Sequence, residues 1–207
     1  MGTEVGELAR SRFPGGVLVA AGYRQTEAAL AQTAELDTDL TVPAIFEAAF
    51  LHGGVLIRAD VLERVQAAEG QPSGWRLIEV KSSTKIKDVH LEDLAVQSEV
   101  ILSAGLTLVS VSLMHINTGY LYRDGPIDLT ELFAIQDLSE AVAQRRASVP
   151  ERLATMNRML LHTQPLTLSR TGIVIHPTSA RSGNIAPKTN RRVGFITCRG
   201  RNTWSAN

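Results

Sequence analysis

The chain of 207 residues has a single cysteine, Cys198, and few aromatics, only 5% of the total. A lone cysteine excludes an internal disulfide and any metal cage built from cysteines alone within this sequence. No stretch approaches the roughly 18 consecutive apolar residues that a membrane-spanning helix needs. The start, Met1-Gly-Thr-Glu-Val-Gly-Glu7, lacks a basic leader and an apolar segment, so export is not expected and the expected location is cytoplasmic. Several catalytic signatures are missing too. There is no Gly-x-x-x-x-Gly-Lys-Ser/Thr phosphate loop, no Gly-x-Ser-x-Gly elbow and no His-Glu-x-x-His helix.

Net charge is also lacking, since 21 basic side chains balance 21 acidic ones. That balance hides a break. From Thr163 to Asn207 there are seven Lys or Arg and no acid, which leaves fourteen basic against 21 acidic residues, a net of −7, in residues 1–162. A basic tail that contacts nucleic acid is one explanation. What is present is ordinary for a soluble globular protein: 44% apolar and 20% charged residues, in a length that suits one domain with a sizeable core.

The pattern along the chain predicts helices over Glu4–Arg10 and Thr26–Leu36, with Phe13-Pro-Gly-Gly ending the first and a short strand at Val17-Leu-Val. Ala44–Phe50 and Val55–Leu62 flank His52-Gly-Gly as a hairpin, and Gln71-Pro-Ser-Gly74 turns into a third strand at 75–81. Leu91–Ala104 reads as an amphipathic helix with Leu94, Val100 and Ile101 inward, stopped by Gly105. Leu106–Ile116 is β-rich, and Tyr120-Leu-Tyr122 is expected to pair back across Asn117-Thr-Gly. Leu129–Leu161 reads as helical, interrupted at Ser148-Val-Pro150. The order predicts an α/β fold, a mixed β-sheet flanked by helices.

Two strands end in charge. Leu56-Ile-Arg-Ala-Asp60 supplies a carboxylate, and Leu77-Ile-Glu79-Val-Lys81 puts Glu79 and Lys81 on one face, Ile78 and Val80 on the other. Charged neighbours on an apolar strand are costly unless their face opens on a cleft or a metal. Asp60 and Glu79 are candidate ligands for Mg²⁺ or Mn²⁺, which take oxygen donors and leave room for phosphate. Lys81 can orient water or steady developing negative charge. A solvated strand end with a Glu–Lys pair is the alternative. Glu47, between Phe46 and Ala48, is a candidate third carboxylate or a surface residue. Gln97, on the following helix, can reach the site or lie exposed. Lys85, Lys87 and His90 follow Lys81 in a basic loop, which suits a DNA backbone. His115 reads as a satisfied core histidine.

Taken together, Gly2-x-x-Val5-Gly6-x-Leu8, Ile45-Phe-Glu-Ala-Ala-Phe50, Arg58-Ala-Asp60, Leu77-Ile-Glu79-Val-Lys81-Ser-Ser and Asp93-Leu-Ala-Val-Gln97 resemble the PD-(D/E)XK nuclease superfamily. The resemblance is to its RecB-like and CRISPR-associated exonuclease branch, over about residues 1–160. It implies a restriction-endonuclease-like α/β/α core and metal-dependent cleavage of DNA. Asp60 and Glu79 would be metal ligands, Lys81 the catalytic lysine and Gln97 the motif residue that follows. The chain departs from that branch at Gly6, where a histidine is common, and at Ile101, where a tyrosine is. Many members also carry four cysteines that bind an iron–sulfur cluster, and this chain lacks them.

The tail suggests a reason. Back-translated and read one base out of phase, residues 171–200 can spell Cys-x5-Cys-x5-Cys, with cysteines at the junctions Ile173/Val174, Ser179/Ala180 and Ile185/Ala186. The expectation is therefore a nuclease-like domain over residues 1–161, truncated at its start, and an irregular, out-of-frame tail over 162–207. Three functions stay open: a Mg²⁺-dependent DNA nuclease, a catalytically inactive remnant that binds nucleic acid or acts as a scaffold, or a soluble α/β protein with no nucleic-acid role.

Overall fold

The computed structural model describes residues 2–22, 24–66 and 73–161, together with two short strands at Ile196–Cys198 and Ser205–Ala206. The expected tail, residues 162–207, otherwise lies outside the described residues. Six strands form a mixed sheet in spatial order β1 (Val17–Leu18), β2 (Ala44–His52), β3 (Val55–Val65), β4 (Gly74–Lys81), β5 (Leu108–Ile116) and β6 (Phe133–Asp137). The expected three-strand meander is β2–β3–β4, antiparallel throughout. Its first turn is Gly53-Gly54, with φ of 57° and 80°. Two successive positive φ values suit a two-residue hairpin and cost glycine little. β1 runs parallel to β2, β5 parallel to β4, and β6 antiparallel to β5.

Helices cover both faces. A parallel β4–β5 pair requires a crossover, and α3 (Asp88–Ser103) provides it. Leu94, Ala95, Val100 and Ile101 of α3 are buried in one cluster with Trp75, Leu77 and Leu113 of the sheet. α2 (Thr26–Thr38), α5 (Ser139–Arg146) and α6 (Val149–Leu161) join that side through Ala29, Val142 and Val149. Gly105, at φ 99°, ends α3: its N–H donates to Leu102 O and the Leu106 N–H to Ile101 O. On the opposite face α1 (Gly2–Arg10) places Ala9 with Phe13, Phe46, Val61, Ile78, Met114 and Phe133. Burial on both faces explains why β4 is apolar at Leu77 and Ile78 alike.

One expected pairing is corrected. Tyr120–Tyr122 forms no strand; the partner of β5 is β6, inside a segment that reads as helical. Tyr120 and Tyr122 instead close a loop. The Tyr120 hydroxyl accepts from the Asp128 N–H, and that of Tyr122 donates to Gly125 O. Asp128 then caps a single turn, α4 (Leu129–Leu132), by accepting from the Thr130 and Glu131 N–H groups. Leu129, Leu132, Phe133 and Ile135 all pack in the second cluster. Short apolar runs of this kind fit a helix or a strand equally well, and here the open edge of β5 decides.

Near its middle the sheet is irregular. Ile45 pairs with Leu62 and Phe50 with Ile57, and all four lie in the same hydrophobic cluster. Five residues separate the positions on each strand, an odd number that regular alternation would send to opposite faces. The break sits between them. Glu47 has φ 55°, and the ladder steps from Phe46↔Val61 to Ala48↔Ala59, leaving out Glu47 and Asp60.

Candidate metal centre

The irregularity has a chemical counterpart. The β3–β4 ladder runs from Val65↔Gly74 to Val61↔Ile78 and goes no further, so the backbone of Val80 is not paired with β3. Its N–H donates instead to Asp60 Oδ2, at 2.8 Å. Asp60 therefore reaches across the point where β3 and β4 part and ties them together.

Glu79 and Lys81 emerge on the α3 side of β4. Glu79 is 1% exposed, and both its oxygens are engaged: Oε1 with Lys81 Nζ at 2.7 Å, Oε2 accepting from Gln97 Nε2 at 2.8 Å. Lys81, also buried, lies 3.4 Å from Asp93 Oδ2. His90, Asp93 and Gln97 follow one another at intervals of three and four, one face of a helix, and all three are buried. His90 Nδ1 accepts from the Lys87 N–H at the start of α3, which assigns the proton of the neutral ring to Nε2. Gln97 Oε1 is buried without a hydrogen-bond partner.

The balance of charge is negative. Three carboxyls, Asp60, Glu79 and Asp93, surround one ammonium. Burial pushes the Asp60 carboxyl well above its ordinary range, with the negative charges of Glu79 and Glu47 adding to it; the Val80 N–H and Lys81 oppose. Burial also raises Asp93, against the pull of Lys81. For Lys81 burial works to discharge the amine, yet Glu79, its hydrogen bond, Asp93 and Asp60 outweigh it, so its pKa is raised. His90 is lowered by burial and by the charges of Lys81 and Lys87, which keeps it neutral. An excess of buried negative charge is stable only with a cation or a proton.

Of the residues singled out in the sequence, Asp60, Glu79, Lys81 and Gln97 are brought together. Glu47 lies across β2–β3 from Asp60, its carboxylate 3.7 Å from Arg10 and 3.5 Å from Arg58, which places it at the rim of the site. Lys85 and Lys87 are exposed on the loop between β4 and α3. Among the described residues, no three His, Cys, Asp or Glu side chains are already gathered as a metal-binding group. Asp93 has no role of its own in the sequence, and His90, expected in the basic loop with Lys85 and Lys87, is instead buried in the first turn of α3. Their spacing from Gln97 on one helix face is the signal that finds them.

No family model matches the chain, and no curated protein or solved structure matches it. Among the described residues, no helix is long and apolar enough to cross a membrane.

Proposed function

We propose that this chain is a metal-dependent DNA nuclease of the PD-(D/E)XK type, hydrolysing phosphodiester bonds with Asp60 and Glu79 as ligands of Mg²⁺ or Mn²⁺. The observation that carries the reading is the excess of carboxylate over ammonium where β3 and β4 separate, with Glu79 and Asp93 buried and Asp60 half-buried. Two hard oxygen donors on adjacent strands suit a small divalent cation, and burial makes Asp60 costly as a lone anion. Such a cation, when bound, polarises a phosphoryl oxygen and lowers the pKa of water. The protein groups have separate tasks. Lys81, held charged by its carboxylate neighbours, steadies the negative charge that develops on the phosphate. Gln97 fixes one oxygen of Glu79 and so its orientation. Lys85 and Lys87, exposed on the loop that follows Lys81, would meet the DNA backbone.

One observation favours a second reading. Both oxygens of Glu79 are already satisfied within the protein, as they would be in a catalytically silent domain that only binds nucleic acid. Cleavage of labelled DNA with Mg²⁺ or with EDTA separates the two. The nuclease reading expects EDTA-sensitive cleavage that falls by about a hundredfold or more in Asp60→Asn and in Lys81→Met, with circular dichroism unchanged. Cleavage that survives both substitutions sinks it, and DNA binding without cleavage by the unaltered chain leaves the silent domain.

A further inference from the structure

Lys81 serves both Glu79 and Asp93 with one ammonium. Its Nζ lies 2.7 Å from Glu79 Oε1 and 3.4 Å from Asp93 Oδ2, so Glu79 holds it more closely. A divalent cation ligated by Glu79 would meet that ammonium at the same carboxylate. Two cations crowded on one buried anion repel strongly, since little solvent screens them. The ammonium must give way. It cannot go far, because Lys81 is 8% exposed and a buried charge without a partner is strongly unfavourable. Asp93 is a buried anion that Nζ already touches, and it is not one of the proposed metal ligands. It stands on the next helix rather than on β4, so its position is independent of how Glu79 turns. The lysine stem is flexible and carries three donors, which lets Nζ move between the two acceptors without a change of backbone.

We propose that Asp93 is a positioning residue: it takes Lys81 from Glu79 as the divalent cation arrives, freeing Glu79 to ligate and aiming the ammonium at the substrate phosphate. This inference rests on the metal-site reading. On this account, removing Asp93 harms metal binding only through Lys81. With Asn at position 93 the ammonium stays on Glu79 and competes with the cation.

Calorimetric titration with Mg²⁺, in the absence of DNA, tests this as a double-mutant cycle. Asp93→Asn should weaken Mg²⁺ binding on the order of tenfold when Lys81 is present, and by less than about twofold when Lys81→Met is already in place. Equal weakening in both backgrounds would mean that Asp93 acts as a ligand or by bare charge, and overturns the proposal. An absence of Mg²⁺ uptake by the unaltered protein overturns the metal site itself, and the proposal with it. A second measurement guards against a variant that fails to fold. In the unaltered protein, the hydrogen-bond coupling from the Lys81 Nζ nitrogen should pass from the Glu79 carboxyl carbon to that of Asp93 as Mg²⁺ is added. A coupling that stays on Glu79 at saturating Mg²⁺ is equally fatal.

Discussion

Asp60 does two things that oppose each other. Its carboxylate accepts the Val80 N–H and so closes the gap between β3 and β4, yet burial and the nearby Glu79 make its charge unfavourable. The sign of the consequence follows from its raised pKa. Below about pH 4, the ordinary range of an aspartate, Asp60 is protonated in both folded and unfolded chains. As pH rises, the unfolded chain ionises first, and stability falls until the folded carboxyl ionises too. Asp93 acts in the same direction. Asp60 and Asp93 should therefore lower the thermal stability of the metal-free protein as pH rises from about 4 toward neutral, and Asp60→Asn should recover part of that stability relative to the unaltered protein. Mg²⁺ should restore it and, wherever the folded Asp60 is still protonated, release a proton on binding. Calorimetry in buffers of different ionisation enthalpy measures that proton. A stability difference between Asp60→Asn and the unaltered protein that stays constant through the same window would contradict the assignment. Much at this scale was legible. Period two set Glu79 and Lys81 on one face, and the spacing to Asp60 was visible. Asp93 showed only as a residue on the helix face of Gln97, because an acid in an ordinary helix reads as solvated until its neighbours on the fold are known.

Single residues would not form this site if the strands ran regularly. In β2 the positive φ of Glu47 rotates the chain, so that Ile45 and Phe50 share a cluster. β3 changes facing across the same break, with Ala59 and Leu62 in one cluster on either side of the unpaired Asp60, without a positive φ of its own. A non-glycine residue at such a φ costs on the order of 1–3 kcal/mol, and the flanking pairs on both sides hold it there. Glu47 also meets Arg10 and Arg58 through part-exposed ion pairs, each worth about 1 kcal/mol or less. Glu47→Gly removes the strain along with those pairs, and the two changes should nearly cancel. Glu47→Val loses the pairs and worsens the strain, because a branched side chain resists positive φ. Urea unfolding should place the Val variant roughly 2 kcal/mol below the Gly variant; equal midpoints would show that the strand is regular at that point. Nothing in the sequence reveals this feature, since Ile45-Phe-Glu-Ala-Ala-Phe50 looks like any apolar strand with one polar residue. The exchange of Tyr120–Tyr122 for Phe133–Asp137 has a similar cause. Local pattern supplied two plausible partners for β5, and only packing against Met114 and Ile78 favours the second.

The layered architecture was the most legible level of all, because hairpin glycines, a helix stop at Gly105 and runs of apolar strand leave few alternatives to a mixed sheet with helices. Charge at this scale sets a harder problem for the proposed function. Residues 1–162 carry a net charge of −7, balanced only by the +7 of residues 163–207, and the site itself is dominated by carboxylates, so DNA would approach a domain that repels it. Binding then depends on local cations. Many of the arginines on the described surface are spent on internal partners: Arg145, Arg146 and Arg152 pair with Asp88, Glu92 and Glu99 across α3, α5 and α6. Lys85 and Lys87 are different, being exposed on the loop that leads directly from Lys81 into α3. Each phosphate contact they make should contribute about 0.9 to the slope of log affinity against log salt. Fluorescence anisotropy in EDTA, where cleavage is off, reads that slope. Lys85→Ala and Lys87→Ala should each lower it by about one, weaken binding alike for unrelated DNA sequences, and leave thermal stability unchanged. A slope that stays put in the double variant would move the DNA path away from this loop, and the metal centre would have to be approached from the Glu47 rim instead.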